Sequence, residues 1–139
     1  MKDVVIKIRS ESCTAPEQDD FIEFSTDGVY SFEDGVGTVS YLETDVTGLA
    51  GTVTSVEISP AGIIVDRRGG ITSRMVFRRG EQNRFQYETP YGMATMGIDT
   101  RRISHSFDDR GGTMEVDYVL NVEHTVVARN KFHMDVAEQ

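Results

Sequence analysis

Six of the chain's fourteen basic residues fall between Val65 and Arg84, in the run VDRRGGITSRMVFRRGEQNR, although the chain also carries 23 acidic residues and a formal net charge of −9. A guanidinium presents five donors in a flat fork, so arginines gathered on one face can hold a carboxylate, a phosphate or an acidic partner. Other chemistry-bearing residues are scattered. His105, His124 and His133 lack the close spacing of a local metal site, and each reads as a structural or surface residue. Asp66 and Asp99 stand out among the carboxylates for their apolar and aromatic neighbours, and a salt-bridged structural role is expected for both. There is no G-x-S-x-G, no C-x-x-C, no P-loop, and no G-x-G-x-x-G opening a helix. Without a motif or a titratable pair by spacing, a non-enzymatic protein with no cofactor is expected.

Charge and cysteine usage narrow the setting. An acidic surface repels nucleic acid and anionic lipid at long range, so neither is an expected partner. Cys13 is the single cysteine, which excludes an internal disulfide and fits a reducing, cytoplasmic compartment. The N-terminus MKDVVIKIRSES alternates apolar and charged positions, unlike a signal peptide, and no apolar run is long enough to span a membrane.

These residues must be positioned by strands. Met114, Val116, Tyr118, Leu120 and Val122 alternate with polar neighbours, and Ala128, Phe132, Met134 and Val136 repeat the pattern, so the two segments form a hairpin with one buried face. Val4, Ile6 and Ile8 alternate likewise at the other end, followed by Ile22, Phe24, Tyr30 and Phe32. Asp27-Gly28 is expected to mark a bulge or bend, and Asp34-Gly35 a tight hairpin turn. About ten such segments, with no linker and no helical period, predict one all-β domain over residues 1–139. Its strands, each with one apolar face, must stack as a sandwich or close as a barrel. Closure removes exposed edges, so a closed or nearly closed antiparallel up-and-down β-barrel of about 8–10 strands is preferred over a sandwich.

Read as a two-residue turn, Gly69-Gly70 pairs Arg68 with Ile71, Arg67 with Thr72, Asp66 with Ser73, Val65 with Arg74 and Ile64 with Met75. Met75 and Phe77 favour their own face as the interior, which leaves Arg67, Arg74 and Arg78 as an outward stripe. That stripe reads as a solvated face, or else as an anion or partner patch. The opposite register turns Arg67 and Arg74 into the lumen, where an unpaired guanidinium would need an internal carboxylate or an anionic ligand.

Polar groups at inward parity are the most informative. Asn130 interrupts Ala128, Phe132 and Met134; Thr52 and Thr54 accompany Val56 and Ile58; Tyr118 and Tyr87 lie among apolar neighbours. Each needs a hydrogen-bond partner when buried, from the backbone, from water or from a ligand.

The order and spacing of GVYSF, VSYLET, IIVDRRGGITSRMVFRRG, YETPYGMATMGIDT, YVLNV and RNKFHM resemble the YwiB-like family of uncharacterised bacterial proteins. The resemblance runs from about Val4 to Val136 and implies a calycin-type, lipocalin-like barrel. Calycins often carry small hydrophobic ligands. The first expectation is therefore a lumenal site for a small apolar or amphipathic ligand, with Tyr41, Thr54, Tyr87, Tyr118 and Asn130 as polar contacts. Ile64, Phe77, Met96, Leu120 and Phe132 form much of the apolar wall. This expects a cavity of at least about a few hundred Å³, as sites for small ligands have. The alternatives are an interaction module whose arginine face docks an acidic protein, and a small homodimer without ligand.

Overall fold

In the computed structural model the described residues form ten strands and no helix: β1 (Lys2–Thr14), β2 (Gln18–Glu33), β3 (Val36–Leu42), β4 (Val53–Ser59), β5 (Gly62–Arg68), β6 (Ser73–Phe77), β7 (Gln82–Thr89), β8 (Gly92–Asp108), β9 (Gly111–Val122) and β10 (Thr125–Glu138). The structure describes residues 1–14, 18–44, 49–89, 92–122 and 125–139, and within them the side chains of all but 18 and 87–89. Among the described residues no helix is long and apolar enough to cross a membrane.

All neighbouring strands are antiparallel and follow the order β6-β5-β4-β3-β2-β1-β10-β9-β8-β7. This is the up-and-down barrel expected from the alternation. The chain's first and last strands zip together in the middle of the sheet, from Val4 opposite Glu138 to Thr14 opposite Ala128. The two ends of the hydrogen-bonded order are therefore β6 and β7, which are consecutive in sequence. Their seam is bridged by single contacts in place of a ladder. Asn83 Nδ2 donates to the Val76 carbonyl at 3.4 Å. Arg79 Nη2 also donates to the Ile103 carbonyl on β8. Bonds from Gly80 N to Thr100 O at 3.1 Å and from Thr100 N to Glu81 O at 3.2 Å extend the β7–β8 pairing into the β6–β7 connection.

Local sequence explains the reversals. Asp34 and Gly35 both adopt positive φ, 52° and 79°, which matches the twist of the strands that they join. Asp27-Gly28 behaves differently from the expected bulge. β1 and β2 stay in register without a shift from Lys2 opposite Tyr30 to Thr14 opposite Gln18. What Gly28 provides is close approach: a Cβ there would stand 2.5 Å from the Ser40 carbonyl oxygen and 2.6 Å from Ile6 Cδ1.

Strand alternation then fills the interior. Val4, Ile6, Val39, Val56, Ile63, Ile98 and Met134 are wholly inaccessible to solvent, each at 0 % exposure. Fully burying one aliphatic side chain of this size contributes roughly 1.5–3 kcal/mol. Tyr30 reaches through this core to one end of the barrel, where its hydroxyl donates to the Asp108 carbonyl at 2.6 Å.

Candidate functional site

The site is decided by the register of β5 on β6. Arg67 pairs with Ser73, Asp66 with Arg74, Val65 with Met75, Ile64 with Val76 and Ile63 with Phe77. The reversal thus takes one residue more than the two-residue Gly69-Gly70 turn expected from sequence. Gly69 sits at φ 137° against Gly51 and Thr52, too close for any side chain, so the turn is shaped by the neighbouring β3–β4 connection. A one-residue shift exchanges the faces of one strand against its partner. Ser73, Met75 and Phe77 are buried as expected, at 6 %, 7 % and 4 % exposure. Their companions on β5 are Ile63, Val65 and Arg67, whereas Ile64 belongs to the outer face.

The expected outward stripe of Arg67, Arg74 and Arg78 is therefore not formed. Arg67 points inward and is half-buried. Arg74 stays outside and meets Asp66 at 3.4 Å. Arg78 lies beyond the end of β6, 3.9 Å from Glu81.

Two polar rows meet at Arg67's end of the lumen. Ser73, Arg67, Thr54 and Tyr41 are successive cross-strand partners on β6, β5, β4 and β3. Ser12, Asn130, Tyr118 and Thr100 form the matching row on β1, β10, β9 and β8. One step along the strands, the first row gives way to Met75, Val65, Val56 and Val39, so polarity is confined to this end. Thr54 and Tyr118, named from parity, and Tyr41, named as a lumenal contact after the family resemblance, are thus brought together, and half-buried Asn130 sits beside Tyr118.

Glu43, which sequence reading passed over, completes the first row. Its amide donates to Thr52 O at 2.8 Å, so β3 continues the alternation past Tyr41 and turns Glu43 inward at 4 % exposure. Thr54 Oγ1 donates to Glu43 Oε1 at 2.7 Å. Tyr41 also hydrogen-bonds Glu43 and Thr54; burial first, then the Glu43 charge, pushes its pKa up, against the opposing pull of Arg67. Tyr118 is raised by burial, again opposed by Arg67. The Arg67 charge is accordingly felt by both tyrosines.

Arg67 itself is poorly matched. Nη1 has only the Met75 thioether at 3.7 Å, a weak acceptor. Nε is covered and has no acceptor, and no carboxylate forms an ion pair with Arg67 among the described residues. The Thr52, Ser73 and Thr100 hydroxyls and Asn130 Nδ2 are likewise covered and without partners. Arg67, Tyr41, Met75, Phe77, Tyr118 and Phe132 enclose a space of about 30 Å³. That volume suits a water molecule or a single head group. It falls well short of the few-hundred-Å³ cavity expected, because Phe77, Met114 and Val116 fill the centre of the barrel.

Other sequence candidates lie elsewhere. The Tyr87 side chain and His124 are outside the described residues. His133 is half-buried on the outer face, 3.1 Å from both Glu115 and Asp135. Asp99 is paired with Arg101 at 3.0 Å, and Asp66 with Arg74, as their salt-bridged reading expects. A broad, open concavity of about 750 Å³ spans β1, β2, β8, β9 and β10; it is lined by Ser12, Tyr118 and Asn130 of the second polar row together with acids and bases, including Asp19, Asp117, Arg101 and Arg129.

Among the described residues the fold is a nearly closed ten-stranded antiparallel barrel, apolar along most of its length, with a polar layer at one end where Arg67 and Asn130 are half-buried. The chain belongs to the family described as a domain of unknown function, DUF1934, which it matches over residues 6–134. In fold it is similar to the crystal structure of the ywiB protein from Bacillus subtilis, with a TM-score of 0.88 and 20 % identity, covering 99 % of this chain and 92 % of that one. No curated protein matches its sequence.

Proposed function

We propose that this barrel is a non-enzymatic, cytoplasmic binding protein for a small amphipathic ligand, whose anionic head is held at the polar end of the lumen. The observation that carries this reading is Arg67, an inward guanidinium whose Nε is covered and lacks an acceptor. A half-buried guanidinium with a covered donor that has no acceptor is costly, and an arriving carboxylate would satisfy both its charge and that donor. Asn130 Nδ2 adds a second donor without a partner. Tyr41 and Tyr118, with pKa values raised by burial, stay protonated at neutral pH and serve as hydrogen-bond donors, not as bases. The apolar part of the ligand would displace the side chains of Met75, Phe77 and Phe132, because the space that they enclose is only about 30 Å³. Methionine adapts to such a guest, since its unbranched side chain repacks at little cost. The single, exposed Cys13 agrees with a reducing compartment.

Octanoate and 1-octanol share a tail and differ in the head, so they separate head recognition from apolar binding. Octanoate is expected to bind saturably by calorimetry, octanol at least about tenfold more weakly, and Arg67→Met to remove the difference, as charge-assisted bonds demand. Native mass spectrometry of the freshly purified protein would reveal a retained acid. Failure of both probes to bind, or an Arg67→Met variant that binds octanoate as the wild type does, would sink the proposal.

A further inference from the structure

A second concavity, of about 610 Å³, lies at the opposite end of β6 from Ser73. Three segments distant in sequence build it: the β4–β5 turn at Pro60–Gly62, the β6–β7 connection at Arg78–Glu81, and β8 at Ile103–His105. Gly62 permits their convergence. At φ 147° it abuts the Phe77 carbonyl, and a Cβ there would stand 2.9 Å from Arg78 Cγ. Any side chain at 62 would push the turn away from Arg78.

The convergence gathers positive charge in a chain whose formal net charge is −9. Arg78, Arg79 and His105 line the concavity against a single carboxylate, Glu81. Glu81 offsets little of this, since it meets Arg78 only at 3.9 Å with both side chains about half exposed. Arg79 is held in place: its Nη2 donates to the Ile103 carbonyl across the seam. One edge of the guanidinium is therefore anchored, and its remaining N–H groups are pre-oriented for an acceptor. Ser104 and His105, both exposed on β8, also line the concavity.

We infer that this concavity is a binding site for a phosphate-class dianion, either inorganic phosphate or the phosphate group of a phosphomonoester. Two guanidinium forks converging on one space match a tetrahedral dianion, whose oxygens accept several bonds at once, better than they match a planar carboxylate. The volume leaves room beyond the phosphate for the alcohol of an ester. The site is independent of the lumenal one, because Arg67 lies at the other end of β5 and takes no part in it.

The test is an amide NMR titration of the full chain with sodium phosphate and, separately, with glycerol phosphate, against sodium chloride at equal ionic strength. Saturable shifts at Gly62, Ser104 and His105 with either phosphate, absent with chloride, are expected. Saturation by the ester alone would identify an ester site, and equal saturation by both a site for the bare anion. Arg78→Gln should weaken binding by about tenfold or more, Arg78→Lys by less, and Arg67→Met should leave it unchanged. The inference fails if neither phosphate saturates, if chloride produces the same shifts, or if Arg78→Gln keeps wild-type affinity while its spectrum stays dispersed.

Discussion

Arg67 stands opposite Ser73 across the β5–β6 hairpin, with both side chains on the inner face of the barrel. That one pairing moves a guanidinium from an outer stripe into the lumen beside Tyr41 and Tyr118. It converts a question about surface charge into one about an internal site.

Replacing Arg67 by Met should stabilise the protein while abolishing head-group discrimination. The substitution keeps most of the side-chain volume and removes a charge whose Nε has no acceptor. Removing a covered donor that has no acceptor gains roughly 1 kcal/mol. Urea denaturation should show a higher midpoint with an unchanged slope.

Phe77→Ala should be among the most damaging core substitutions. Phe77 is 4 % exposed, and its ring meets Tyr118 edge to face, with centroids 4.8 Å apart. Truncating a buried phenylalanine costs about 3–5 kcal/mol. The same denaturation experiment measures it, and a loss below about 1 kcal/mol would place the ring outside the lumen.

Gly28→Ala tests close approach without any turn. The added methyl would meet the Ser40 carbonyl at 2.5 Å and Ile6 Cδ1 at 2.6 Å. Overpacking of this kind costs roughly 1–3 kcal/mol. A thermal melt should fall accordingly, whereas Gly35→Ala, with nothing near its Cβ, would report only the strain of φ 79°.

Alkaline pH should weaken the fold through its tyrosines. Burial raises Tyr30 to about 12 from its ordinary 10.0, with the Asp108 and Asp109 charges adding to the effect. The unfolded chain therefore loses this proton first. The stability that neutral Tyr30 supplies is complete below pH about 10 and is given up as pH rises to about 12. Tyr30→Phe should flatten that decline in denaturation midpoints. An ultraviolet titration should show Tyr30, Tyr41 and Tyr118 ionising late.

Much of this architecture was legible in the sequence because a strand has a period of two. Thr54, Tyr118 and Asn130 could be assigned to the interior from their apolar neighbours alone. Glu43 obeyed the same parity after Val39 and Tyr41. It was passed over because an acid in that position reads as a strand end when its partners, Thr54 and Thr52, are not known to adjoin it.

By itself the sequence determined that the strands run antiparallel, with about ten segments, and placed the Asp34-Gly35 turn, although it read β8 as two segments, MATMGIDT and RRISHSF, where the structure has one strand. It also determined which face of β1, β9 and β10 is buried, since each rests on local alternation or on backbone freedom at a single residue. Only the tertiary structure decided that Arg67 points inward, that Phe77, Met114 and Val116 fill the lumen, and that the barrel's seam falls between β6 and β7. The reason is register. Whether the β5–β6 reversal takes four residues or five depends on Gly69 packing against Gly51, a contact between two turns that no local pattern encodes, and one residue of slip exchanges inside for outside.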